Sequence, residues 1–512
     1  GLLRIVVVAA VLGPTQFANL YQATNHLPNL VFELLTGTLF VSLLVPALVR
    51  HVNVGDASRL ASRVLTLAVA GGAALVALAV LAGGLVVGLL TADVPAGVAR
   101  TPTGPAWLLL ALLLLQVPLY LCVGVATAVQ IARGRFALAA GAPTVENVAI
   151  IGVLAAYAVV FGTGAPQGQG LAEVVLLGGG TTAAVLAHTA VQWWGARRCG
   201  ARLVPAWGGW RDPEVRGIVR LAVPSVGYAG LSVGRYFVIL VVAAAVPGGV
   251  IAFTVAWAFY NLPLALAVRP VSQAALPVLA RAHHTGDDAT FGETFDRAFG
   301  MALFLAAPPA LGYALLSGPL ATAVAFGEMA TPEGRELLRV CLLGLSLGVL
   351  GQAAVEFATQ AAYARGDARR PLEAVALRAV LAVAGMLVAR VLVEGPDLLL
   401  AITVSVTLSE LLAGALLCWT VRRRVARPAG SLLRMLARTI AASLVMVSVA
   451  LLPLRVAGSS DSQLGGVLVV LGVGMLAATT YLAAQWLLRS PELAGVAALA
   501  RRSRPGRGAG LD

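Results

Sequence analysis

The stretch ANLYQATNHLPNLVFELLTG, residues 18–37, decides how the rest of the chain is read. Asn19, Gln22, Asn25, His26 and Asn29 crowd around Pro28, and Glu33 interrupts an otherwise apolar run. So many hydrogen-bonding groups need something to face, and what that is depends on the solvent around them.

The 512 residues are 59% hydrophobic and 12% charged, with a mean hydropathy of +0.90. Nearly uncharged runs recur from end to end, each long enough to cross a hydrocarbon layer of about 30 Å, which takes roughly 20 helical residues. Abundant Ala, Gly, Leu and Val suit helices packed closely in lipid, and the short alternating strands of a membrane barrel are not found in the sequence. The expected fold is an all-α polytopic membrane protein. Hydropathy and turn residues place about fourteen transmembrane helices near 1–12, 19–49, 59–91, 106–132, 137–161, 170–196, 216–246, 249–281, 295–327, 338–363, 371–393, 397–422, 433–456 and 463–488. Residues 1–12 read as the tail of a first helix whose start is missing. They do not read as a signal peptide, since no basic n-region or small-residue cleavage site is visible.

The net charge of +13 comes from 36 basic residues, all arginine. Their distribution excludes a nucleic-acid partner. With both termini on one side, that side holds twenty-eight arginines, from Arg50, Arg59 and Arg63 to Arg378 and the tail beyond Arg489. The other side holds Arg100, Arg335, Arg339, Arg390 and Arg455, and only Arg4, Arg235 and Arg269 fall inside spans. This asymmetry predicts cytoplasmic termini.

The longest cytoplasmic loop divides the chain. Residues 1–196 are expected to form an N-terminal six-helix bundle, 197–215 a linker and 216–422 a second six-helix bundle around a central cavity. Residues 423–488 add a helix pair, and 489–512 form a basic cytoplasmic tail near anionic lipid. The Trp and Arg residues of the linker suit the membrane surface. Cys122, Cys199, Cys341 and Cys418 lack metal-ligand spacing. HHTGDD (283–288) reads as a hydrophilic loop and GDARRP (366–371) as a helix-starting turn. No metal or cofactor is expected.

Pieces of the sequence, taken in order, resemble one family. GLLR (1–4), NLYQATNHLPNLVFE (19–33), TLFVSLLVP (38–46), APTVENVAIIG (142–152), YNLPLALAV with LPVLA (260–280), FLAAPPALGYALLSGPL (304–320) and AYARGDARRPL (362–372) keep its order and spacing. The chain is identified by them as similar to the MurJ/MviN flippases of the MOP exporter superfamily. The resemblance implies a transporter, not an enzyme, that moves the polyprenyl-diphosphate-linked precursor lipid II across the bacterial inner membrane. It also implies roles in peptidoglycan and cell-shape biology, membrane lipids as partners, and contact with cell-wall synthesis proteins. The coupling agent, whether sodium, proton or membrane potential, is left open.

The departures from the family lie at its cavity cations. Arg4 matches one family arginine, but the others fall on Ala10, Phe32, Glu33 and Ala258, and the acidic positions fall on Asn19 and Trp257. The family's sodium-coupling acids have no match here. Two readings of the intramembrane ions follow. In one, Arg4, Arg235 and Arg269 form a relocated site for diphosphate, which the planar guanidinium fork suits. In the other, they pair with Glu33, Glu146, Glu356 or Glu410 as interhelical links.

Glu33, Glu356 and Glu410 are candidate carriers of a coupling cation or proton, and Gln352, Glu356 and Gln360 share one helix face. Residues 19–33 read as cavity wall, bent at Pro28, with Asn25, His26 and Asn29 able to bond freed carbonyls or to contact a sugar. The expected substrate contacts are Arg4, Asn19, Asn25, His26, Asn29, Arg235 and Arg269. The rival functions are a non-transporting cell-wall scaffold, a flippase for another lipid-linked oligosaccharide, a drug or small-cation exporter, and a membrane-embedded transferase.

Overall fold

A computed structural model describes residues 1–35, 40, 43–51, 54–91, 102–164, 170–423, 430–457 and 462–493. Outside these fall Arg424 and Arg427 of the expected cytoplasmic side, Arg100 of the opposite side, and the tail from residue 494. The Glu33 side chain is likewise outside the described residues. Among the described residues every regular element is a helix.

The helices are α1 (Leu2–Leu12), α2 (Gln16–Leu35), α3 (Val45–Arg50), α4 (Val54–Leu81), α5 (Gly83–Thr91), α6 (Thr103–Ala132), α7 (Phe136–Phe161), α8 (Leu171–Arg198) and α9 (Pro213–Ala243). Then follow α10 (Gly249–His284), α11 (Asp288–Leu315), α12 (Ser317–Val324), α13 (Pro332–Ser346), α14 (Gly348–Ala364), α15 (Arg369–Leu392), α16 (Gly395–Arg422), α17 (Gly430–Ala457) and α18 (Gln463–Leu487).

Among the described residues, ten helices are long and apolar enough to cross a membrane, or eleven if α13 and α14, bent by 44°, count as one span. Every expected span overlaps a helix among the described residues, but the count of fourteen is not confirmed. Leu2–Leu12 and the apolar part of α9, Gly227–Ala243, are short, and α2 carries too many amide side chains.

Contacts divide the chain into two units. The first comprises Gly1–Val255, Ala325–Leu337 and Leu392–Leu399; it continues past the linker to include α9. Its core joins Phe40, Leu44, Leu60, Val64, Val117, Leu121 and Val125, all buried. Asp212 caps α9 by accepting the Glu214 N–H at 2.8 Å, and Arg63 of α4 bonds the same carboxylate. The linker is thereby tied to α4.

The second unit comprises Ala256–Val324, Leu338–Val391 and Leu400–Asp512. Phe291, Phe295, Phe299 and Phe357 form its aromatic centre. A second cluster, with Phe304, Met446 and Tyr481, anchors α17 and α18, where the Tyr481 hydroxyl donates to Phe304 O at 3.0 Å. The backbones of α14 and α16 cross so closely at Gly351 that a Cβ there would stand 2.5 Å from the Glu410 carbonyl carbon. Small residues at such crossings let helices in lipid gain dispersion contact.

Candidate functional site

The polar face of α2 divides into a structural end and a free end. Asn19 is buried and donates from Nδ2 to Val246 O at 2.7 Å, while its Oδ1 accepts the Val250 N–H at 3.0 Å. Gln16 Nε2 donates to Ala244 O at 3.0 Å. These two amides satisfy the turn between α9 and α10, so Asn19, an expected substrate contact, has both polar atoms engaged by backbone.

Two turns on, the arrangement opens. Pro28 lies inside α2, and Asn29 Nδ2 bonds the Asn25 carbonyl at 2.9 Å. Gln22 Nε2 lies 3.1 Å from His26 Nε2, and the His26 ring packs edge-on against Tyr236 of α9 at 5.6 Å. Asn25 Oδ1 and Gln22 Oε1 are buried with no hydrogen-bond partner among the described residues. The neighbouring Arg235 is buried on α9. Gln22, Asn25, His26 and Tyr236 thus form a polar patch within the first unit, which suits a polar ligand better than lipid tails.

Several intramembrane ions are paired. Arg4 Nη1 donates to Glu146 Oε1 at 3.1 Å; the same carboxylate accepts from Tyr120 at 2.9 Å and faces His188 Nδ1 at 2.8 Å. In the second unit, Pro263 and the wider π turn Leu264–Val268 interrupt α10 just before Arg269. A proline without an N–H invites such a bulge. Arg269 Nε donates to Glu356 Oε1 at 2.9 Å and remains half exposed. Glu410 is fully buried and accepts from Arg378 Nη1 at 3.1 Å, and the same nitrogen donates to Gln352 Oε1 at 2.6 Å.

Arg4 and Arg269 are thus in contact with Glu146 and Glu356. The Gln352–Glu356 face is split between two arginines. Arg378, grouped with the loop arginines from sequence, lies buried inside α15. Tyr120, His188 and Arg378 were missed as site residues. Only Arg378 carried a signal, an arginine in the apolar run EAVALRAVLAV. Among the described residues, no group of three or more His, Cys, Asp and Glu side chains is arranged to hold a metal.

Comparisons with known proteins agree with this architecture. The family model described as lipid II flippase MurJ matches residues 8–465. A probable lipid II flippase MurJ of Vibrio cholerae is 29% identical over 389 residues, covering 73% of this chain and 71% of the relative. One from Haemophilus influenzae is 26% identical over 404 residues, covering 73% and 74%. One from Bdellovibrio bacteriovorus is 35% identical over 197 residues, covering 37% and 34%. Among solved structures, a lipid II flippase MurJ in an inward closed conformation aligns with a TM-score of 0.74 at 17% identity, covering 96% of both chains. An inward-facing multidrug resistance MATE transporter of the MOP superfamily aligns at 0.65 and 16% identity, covering 83% of this chain and 93% of that one. At these identities the structural likenesses speak to the fold alone.

Proposed function

The chain belongs to the lipid II flippase MurJ family, and on that premise we propose that it carries lipid II across the bacterial inner membrane by alternating access. The observation that carries this reading is the extent of the family match, residues 8–465, which runs through both units. Transport of this kind forms no covalent bond and needs no cofactor. Its drive is a sodium or proton gradient, or the membrane potential.

Arg4, Arg235 and Arg269 are the groups offered to the diphosphate, where charge-assisted hydrogen bonds from guanidinium are strong and directional. Asn25, His26 and Asn29 are the groups offered to the sugar, whereas Asn19 holds the wall in place. The polyprenyl tail has a suitable surface in the second unit, an apolar cavity of about 560 Å³ lined by Phe299, Leu303, Leu311, Cys418, Leu436 and Leu444. Of the coupling candidates, Glu410 is bound to Arg378 and Glu356 to Arg269. The arginine asymmetry supports cytoplasmic termini, with membrane lipids and cell-wall synthesis proteins as partners.

The test is rescue of cells depleted of their own flippase, with lipid II translocation measured alongside growth. A second reading, a non-transporting scaffold for cell-wall synthesis, is favoured by one observation. Four family arginine positions hold Ala10, Phe32, Glu33 and Ala258, and two of the remaining cations already have carboxylate partners. A correctly inserted chain that fails to rescue supports the scaffold. Failure with lipid II but transport of another lipid-linked oligosaccharide redirects the substrate.

A further inference from the structure

Four helices of the first unit converge on one carboxylate. Glu146 of α7 is buried and takes Arg4 of α1 and Tyr120 of α6 on Oε1, and His188 of α8 on Oε2. An ionised carboxylate only accepts, so His188 Nδ1 carries a hydrogen. His188 Nε2 is buried with no hydrogen-bond partner among the described residues. With Glu146 ionised, Arg4 charged and His188 neutral, the cluster has no net charge, the inexpensive condition inside a membrane protein. Nε2 is then a bare acceptor, the position in the cluster that can take one more proton. While Arg4 sits on Glu146, that proton would give the cluster a net positive charge, and without Arg4 it would restore neutrality. Arg4 is also the member with a way out: its side chain is 17% exposed, against 2% for His188.

We propose that Glu146 and His188 form a proton-binding site coupled to substrate: Arg4 exchanges Glu146 for the substrate's diphosphate, and His188 takes up a proton in its place. This rests on the reading of Arg4 as a diphosphate ligand. The Arg4 hydrogen bond to Oε1 breaks, and the diphosphate oxygens take over the guanidinium. The His188 Nε2 lone pair binds a proton drawn from water. An imidazolium–carboxylate pair replaces the guanidinium–carboxylate pair, and Tyr120 stays on Oε1 throughout. When substrate leaves, Arg4 returns and the proton is expelled. Nothing is oxidised or reduced, and Glu146 is never left without a cation.

Few other charges face this site. Tyr21 of α2 lies near Tyr120 and Arg4 and bonds Thr181 of α8, and His26 of α2 lies within the field of Arg4. Tyr157 is about three turns along α7, Glu173 about four turns along α8, and Arg197 between two and three turns the other way. Gln192, one turn from His188, is bonded to Gln130.

The experiment is ¹⁵N NMR of the full chain in detergent with labelled histidine, the signal assigned among the five histidines by subtraction of His188→Gln. Ring nitrogen shifts distinguish neutral imidazole from imidazolium. At about pH 7, where small changes of environment decide histidine charge, His188 is expected neutral in the parent and charged in Arg4→Gln. The same charge state in both overturns the site. Undecaprenyl diphosphate, with binding followed by ³¹P signals in the same sample, should bring the parent to the charged state; this arm does not depend on a variant folding. Charged His188 in Arg4→Gln, with a neutral parent that binds no diphosphate, overturns the ligand role of Arg4 instead. A parent that binds it and stays neutral overturns the coupling.

Discussion

Removing Arg378 takes a charged partner from the buried Glu410. The guanidinium is 5% exposed, the carboxylate is fully buried, and Nη1 stands 3.1 Å from Oε2. At that separation, with an effective dielectric of about 20, the attraction is about 5 kcal/mol. Desolvation of both ions offsets much of it, so the pair adds little net stability, yet breaking it from one side costs about 3–5 kcal/mol. Arg378→Met and Glu410→Met should each lose stability on that scale. Arg378→Met with Glu410→Met removes both charges and should lose far less than the sum, a coupling of at least about 3 kcal/mol. Equilibrium unfolding in mixed micelles of mild detergent and dodecyl sulfate measures all four proteins. Losses that add to within about 0.5 kcal/mol would refute the argument. Transport provides a second check. If the pair is a lock between α15 and α16, the double variant still transports; a folded double variant without transport returns Glu410 to the coupling role.

Further outcomes follow from other positions. Arg269→Gln should change stability little, since partly exposed pairs contribute about 0–1 kcal/mol, yet abolish rescue in flippase-depleted cells, while Glu356→Gln keeps it. Gly248 has φ of 74°, and a Cβ there would lie 2.3 Å from Pro14 Cα, a backbone atom that cannot step aside. Gly248→Ala should therefore cost about 3 kcal/mol in detergent unfolding, whereas Gly134→Ala, with φ of 68° and open space, should cost about 1 kcal/mol. Burial pushes the Asp212 carboxyl up, but the N–H groups of Glu214 and Val215 and the Arg63 guanidinium outweigh it and hold it below the usual carboxylate range. A lowered folded value means that its stabilisation is present above the unfolded value, about 3.9, and is lost as the pH falls through the folded one. Proteolysis of the 199–212 linker should rise in that acid window in the parent. Asp212→Ala should loosen the linker at neutral pH by about 1 kcal/mol.

Spans and motifs were legible because hydropathy and proline placement are local properties. The reading of 19–33 as a bent wall rested on Pro28, which lies inside α2, and on its amides, of which Asn29 bonds the Asn25 carbonyl. Partner choice was not legible in the same way. Arg378 stands seven residues beyond Pro371 and looked like one more arginine of a cytoplasmic turn, yet α15 is already helical from Arg369 and buries it. His188 sits in an apolar run with nothing nearby in sequence to mark it, because Glu146, which it bonds, is 42 residues away. The amide at Asn19 looked like a ligand contact for the same reason: the carbonyls that hold it belong to residues 244 and 246.

That last bond has a consequence in time. Asn19 and Val250 are 231 residues apart in the chain. A ribosome adding about 5–20 residues per second needs on the order of ten to fifty seconds to make the second after the first. Throughout that interval the Asn19 amide has been delivered toward the bilayer without the turn it will fasten. Its hydrogen-bonding capacity must be met by water, the insertion machinery or neighbours on α2 such as Gln16, 3.1 Å away in the finished fold. The first unit thus closes late in synthesis, when residue 250 reaches an amide made near the beginning.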